Sequence, residues 1–262
     1  MISNLLSERS LLAAVILLSS CLSGHATTVS VTTVADTGLF SNHPDSNLGA
    51  TTLVAGTNQS NSRSRSLILF DVSAIPAGSI VTGVQFTLSV TRRPDPDQHT
   101  GPLDSDFSLS RMLVGWGEGR GVLVTGSSPQ PGDATWDERH FGSASWSTPG
   151  GQVGTDYAND PSTTTSISGV GPYTWGSTPT FVSDIQSWVD DPSTNFGLIL
   201  ISQNEADPGT ARRFSSREAL SGGSAAQLVI TVTDVPEPGC VVLLIVAGAV
   251  LGVCHRSRRY AA

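Results

Sequence analysis

Apolar residues in this chain recur at every second position far more often than at a helical spacing, the pattern of a strand whose side chains alternate between two faces. Val84-Gln85-Phe86-Thr87-Leu88-Ser89-Val90 shows it most plainly, with four apolar side chains on one face and polar ones on the other. Leu228-Val229-Ile230-Thr231-Val232 behaves the same way. Leu67-Ile68-Leu69-Phe70 and Leu198-Ile199-Leu200-Ile201 are apolar on both parities, which predicts central strands covered on both sides. Further strands are expected near 28–35, 51–55, 106–114 and 210–215, and Ile75-Pro76-Ala77-Gly78 reads as a turn. One segment changes period: in 181–189, Val182, Ile185, Trp188 and Val189 share a helical face, which predicts a short capping helix. The stretch 115–177, rich in Gly, Ser, Thr and Pro, is too long for one plain loop and is expected to hide short strands near 134–136 and 172–175. Together these elements predict an all-β fold, a jelly-roll-type β-sandwich with one short helix.

The two ends follow another logic. Arg9 precedes an uncharged apolar run from Leu11 to Leu22, and Gly24-His25-Ala26 gives a small-residue exit, the order of a secretory signal peptide cleaved after Ala26. That makes the Sec export machinery a partner. Leu18-Ser19-Ser20-Cys21 offers an alternative, a lipobox in which Cys21 would be acylated. At the other end, Gly239 to Cys254 carries no charge and is closed by Arg256, Arg258 and Arg259, so a membrane helix is expected with its arginines inside and the main domain outside. Pro236-Glu237-Pro238 stands just before it as an extended, accessible peptide. This triple arrangement resembles the PEP-CTERM sorting signal, which implies an exosortase-type membrane protease that removes the tail. The chain thus divides into a signal peptide (1–26), a β domain (27–235) and a sorting tail (236–262). It is expected to be exported, membrane-anchored until cut, then held at the cell surface or in the extracellular matrix.

Composition narrows the chemistry. Cys21, Cys240 and Cys254 all lie in the terminal segments, so the domain has neither disulfide nor thiol. It holds 10 arginines and 20 acidic residues, a net charge of about −10 that disfavours nucleic acid. Acidic polysaccharides would need a local concentration of arginine, which draws attention to Arg92-Arg93 and Arg212-Arg213, although solvated surface charge is their ordinary use. Only His43, His99 and His140 fall in the domain, without zinc-site spacing, and Gly-x-Ser-x-Gly is absent. The glycine-rich run 115–121 lacks a dinucleotide-loop frame and reads as a flexible connection. No cofactor is expected; Asp95/Asp97, Asp104/Asp106 and Glu205/Asp207 offer oxygens that a structural calcium could use, but no twelve-residue calcium loop is present and solvated loop acids are their ordinary role. Arg217-Glu218 would most simply pair with separate partners from opposite faces of a strand. Packing is the default use of a tryptophan, and Trp188 and Trp136 read as core; Trp116 and Trp146 sit among glycines and prolines where a loop could expose them to a sugar ring.

The motifs of residues 30–233, in order, resemble the DNRLRE domain, a secreted jelly-roll module. They are Asn47-Leu48-Gly49, Leu53-Val54-Ala55-Gly56, the run from Ser66 to Gly78, Ala134-Thr135-Trp136, Ser145-Trp146-Ser147, Trp188-Val189, Asn195-Phe196-Gly197-Leu198 and Phe214-Ser215-Ser216-Arg217-Glu218-Ala219. Departures are Ile68-Leu69-Phe70 for the usual Leu-Arg-Phe and the missing central Tyr at Asn47-Leu48-Gly49. Some relatives bind alginate or related polysaccharides, so the resemblance implies a non-catalytic carbohydrate-binding role, with Trp116, Trp146, Arg212 and Arg213 as candidate contacts. Two other readings stand beside it: a structural spacer, and a polysaccharide lyase or glycoside hydrolase for which Tyr157, Tyr173 and His140 would be the first residues to test.

Overall fold

Antiparallel strands account for most of the order in the computed structural model, which describes residues 26–95, 104–218 and 223–233. The leader through residue 25, the tail from 234, and with them Cys21, Pro236, Glu237, Pro238, Arg256, Arg258 and Arg259, lie outside the described residues, as do Asp97 and His99. No helix among the described residues is long and apolar enough to cross a membrane. Contacts divide the chain into a body, 28–77 with 81–232, and a second unit made of the two chain ends with Gly78–Ile80. Of that second unit only residues 26–27, 78–80 and 233 are described, and all but Gly78 and Ser79 are strand ends.

The strands are β1 (Ala26–Phe40), β2 (Leu53–Thr57), β3 (Arg63–Phe70), β4 (Ile80–Arg92), β5 (Ser105–Arg111), β6 (Glu138–His140), β7 (Ala144–Ser145), β8 (Thr163–Ile167), β9 (Gly171–Trp175), β10 (Leu198–Ser202), β11 (Arg212–Phe214) and β12 (Gln227–Thr233). One helix, α1 (Pro179–Asp190), and a 3-10 turn at Pro192–Thr194 stand between β9 and β10. One layer follows the order β1-β3-β10-β5-β8, and the other sets β12, β4 and β11 side by side with β2 beyond β11 and β9 on β4. Two strands change layer. The outer half of β1 pairs with β3 after a register shift between Thr33 and Ala35. Strand β2 pairs with β11 through Leu53–Ala55 and with β3 through Gly56 and Thr57. Changing partners mid-strand lets the two layers share strands and face one another, which leaves one large apolar interior.

That interior holds Phe70, Phe86, Phe107, Trp175, Trp188 and Phe214, fully buried. All of these rings except Trp188 meet edge to face, with Phe86 5.2 Å from Trp175 and Phe107 5.6 Å from Phe214, the arrangement that aligns positive ring edges with negative faces. Strand β4 bears out its alternation, burying Val84, Phe86, Leu88 and Val90 while Gln85 meets solvent. The double-parity runs are indeed covered on both sides: Ile68, Leu198 and Leu200 point into the main core, whereas Leu67 and Ile199 join a second cluster with Leu39, Met112, Trp136 and Trp146. The cover over this second cluster comes from the excursion between β5 and β8, which is held by side-chain hydrogen bonds more than by strands. A strand forms at 171–175 as expected, but 134–136 is not one; the short hairpin β6–β7 follows it instead. The expected strand at 106–114 stops at Arg111.

Helix α1 starts where Thr178 accepts a hydrogen bond from the Phe181 amide at 3.0 Å and Pro179 fills the first turn. It ends at Asp191, with Pro192 unable to extend it. Phe181, Ile185, Trp188 and Val189 close one end of the core. The buried Asp184 on the same helix is met by Ser162 at 2.6 Å and by the Arg111 guanidinium at 3.0 Å.

Candidate functional site

The two arginine pairs, more than 100 residues apart in sequence, converge. Strands β4 and β11 pair with Arg213 opposite Arg92, so Arg92, Arg93, Arg212 and Arg213 line one surface cleft of about 300 Å³, together with Asn58 and Gln59. A neighbouring cleft of about 170 Å³ runs on past Phe40, His43 and Val124 and shares Val54, Asn58, Ala211 and Arg213 with the first. Arg213 therefore lines both of the adjoining clefts, together the arginine groove. Asp95 lies in its wall as the acidic member.

The four guanidinium groups differ in what already holds them. Arg212 is 1 % exposed and donates from Nη1 to the carbonyls of Gly209, Thr210 and Ala211 at 3.0–3.4 Å, so it braces the floor of the cleft. This corrects the expectation that the pair is simply solvated surface charge. Burial first, and then the charge of Arg93, pull the Arg212 pKa below its ordinary value. Arg93 donates to the Ser168 carbonyl at 3.0 Å. Arg92 and Arg213 make no side-chain hydrogen bond among the described residues. Like charges directly opposed on neighbouring strands destabilise a sheet, so this pairing is an electrostatic debit that a bound anion would offset.

The indoles expected in exposed loops are elsewhere. Trp146 is only 5 % exposed, donates from Nε1 to the Thr135 carbonyl at 2.9 Å and packs in the second cluster, so it has no face for a sugar. Trp116 is half-buried on the same cluster, its Nε1 held by the Phe196 carbonyl at 2.9 Å. Burying an indole removes enough apolar area from water that its packing outweighs the loop-like composition around it. Trp136 and Trp188 are core as expected. The possible enzyme residues fall into separate networks: the Tyr173 hydroxyl closes the β8–β9 turn at Gly169, Tyr157 lies against Arg65, and His140 Nδ1 meets the Gly132 carbonyl.

A second polar centre was not legible in the sequence. Asp36 on β1, Glu118 and Glu218 bring one carboxylate oxygen each within 4.8 Å of one another. The Arg217 amide donates to Asp36 Oδ2 at 2.7 Å, and the Asp36 amide to Glu118 Oε1 at 2.9 Å. The Arg217 guanidinium reaches Glu118 at 2.8 Å and Glu218 at 3.1 Å. Arg217 and Glu218 thus lie in a turn and pair with each other, not on a strand with separate partners. Burial, then the repulsion of Glu218 and Glu118, push the Asp36 pKa up to about 7 against the pull of the Arg217 amide. Of the acid pairs suggested for calcium, Glu205 is committed instead to a two-point ion pair with Arg65, at 2.9 and 2.7 Å.

Asn47 positions Glu118. Fully buried, it donates from Nδ2 to the carbonyls of Glu118 and Ala134 at 2.9 and 3.0 Å and accepts from the amides of Gly49 and Gly121 at 3.1 and 2.7 Å. All the hydrogen bonds an amide side chain favours are made. A side chain at Gly117 would collide with the Gly132 carbonyl and one at Gly121 with the Asn47 carbonyl, so this glycine-rich run is pressed backbone to backbone and is not a flexible connection.

No protein-family model matches this chain, and no curated protein sequence matches it.

Proposed function

We propose that this is an exported, non-catalytic surface or matrix protein whose jelly-roll-type domain binds an acidic polysaccharide along the arginine groove. The observation that carries the reading is the meeting of Arg92, Arg93, Arg212 and Arg213 in one cleft on a domain otherwise dominated by acids. A carboxylate-bearing sugar polymer fits on three counts. Guanidinium forks match carboxylates two-pronged, the polar Asn58 and Gln59 line the same cleft, and the two adjoining clefts suit a chain better than a single sugar. The resemblance of the domain motifs to the DNRLRE module points to the same ligand class. With Trp146 buried and Trp116 tied to the second cluster, charge replaces aromatic stacking as the basis of recognition.

The leader and the tail supply the setting: export by the Sec machinery, a membrane helix over Gly239 to Cys254, and removal of the tail by an exosortase acting near Pro236-Glu237-Pro238. Affinity electrophoresis of the full-length protein in mild detergent tests the binding reading. Gels containing alginate or another polyuronate should retard it, neutral glucan should not, and the Arg92→Ala/Arg213→Ala variant should migrate freely in both. Equal migration of wild type in all gels would leave a spacer protein in place of a binder.

A further inference from the structure

We propose that Asp36, Glu118 and Glu218 form a structural calcium site that ties β1 to the segment after β11 and to the start of the β5–β8 excursion. Asp36 is 1 % exposed, and although the Arg217 amide takes its Oδ2, its Oδ1 has no hydrogen-bond partner. Glu218 Oε2 is likewise buried without a partner. Two buried carboxylate oxygens without partners in one half-buried cluster are costly, because an ionised carboxylate oxygen out of water needs a compensating charge or donor. The cluster is also unbalanced: three carboxylates face the single guanidinium of Arg217, and one divalent cation would bring the group to neutrality.

The geometry suits such an ion. Oxygens bound to one calcium at about 2.3–2.6 Å lie no more than about 5 Å apart, and here the three carboxylate oxygens are within 4.8 Å of one another. The donors are all hard oxygens, which selects against zinc and copper. Ligands contributed by three distant segments rarely meet the strict octahedron magnesium demands, whereas calcium accepts irregular shells of six to eight oxygens completed by water. The Asn47 amide holds the Glu118 backbone carbonyl from outside the cluster, which fixes the segment that carries this carboxylate. The site shares no residue with the arginine groove and does not depend on the polysaccharide reading.

The test is thermal unfolding of the full-length protein in mild detergent, first freed of metal with EDTA, then titrated with calcium chloride alone. Wild type should gain about 5–10 °C in Tm once calcium exceeds its Kd a hundredfold, and calorimetry should count one ion per chain. Asp36→Asn and Glu218→Gln should each lose most of that gain. Should Asp36→Asn fail to fold, Glu218→Gln and the wild-type titration still decide. No Tm change and no binding heat with calcium would overturn the proposal, leaving a proton shared among the carboxyls as the stabilising charge. A gain that persists in both variants would overturn it as well, because the ion would then sit elsewhere.

Discussion

At the scale of single residues, buried polar side chains do most of the organising, and each makes a measurable claim. Asn47 satisfies two carbonyls and two amides at once. Its replacement by Ala strands those groups and should lower stability by about 3 kcal/mol in urea unfolding; a loss below about 1 kcal/mol would mean that water substitutes for the amide. Asp184 gives a pH prediction. Burial raises its pKa above the ordinary 3.8, opposed by the Ser162 hydrogen bond and the Arg111 charge. The folded chain therefore binds that proton more readily than the unfolded one. Its contribution to stability is full below about 3.8 and is lost as pH rises through the raised value. Asp184→Asn should flatten that part of the curve of urea midpoint against pH, and an unchanged slope would refute the assignment.

At the scale of elements, periodicity carried the reading wherever the backbone pairs with itself. The alternation of β4, the double parity of β3 and β10 and the helical face of α1 are local signals, and the structure bears each of them out. The β5–β8 excursion was illegible because its order comes from side-chain hydrogen bonds, some local and some distant, and not from paired backbone: Arg65 holding the carbonyls of Gly150 and Gly151, Asp156 accepting from Ser147 and Gln152, and Trp146 reaching Thr135. None of these leaves a period in the sequence, and glycine-rich composition suggested slack where the glycines in fact permit close packing. Trp146→Ala should accordingly cost about 3–5 kcal/mol by opening a cavity in the second cluster, measured by chemical denaturation. Binding of polyuronate by the fraction that stays folded should be unchanged; its loss would return Trp146 to the ligand surface.

At the scale of the whole molecule, the groove and the acid cluster are products of topology. Arg92-Arg93 and Arg212-Arg213 were visible as pairs, but only the register of β4 against β11 makes them one surface. Asp36, Glu118 and Glu218 gave no spacing signal at all, since three connections of the fold bring them together. Because Arg92 and Arg213 repel across the strands, Arg213→Ala should leave stability unchanged or raise it by up to about 1 kcal/mol while weakening polyuronate binding, a separation of fold from function that thermal unfolding and affinity gels read together. Intact mass of the protein from its native host tests the proposed processing: the mature chain should begin at Thr27 and lack the membrane tail, whereas an acylated Cys21 would indicate lipoprotein export. The groove itself is tested most directly by arginine footprinting with phenylglyoxal and mass spectrometry, with and without polyuronate. Arg92 and Arg213 should react in the free protein and be protected in the complex, while the exposed Arg63 and Arg120 react equally in both. Equal reactivity of Arg92 and Arg213 with and without the polymer would contradict the account.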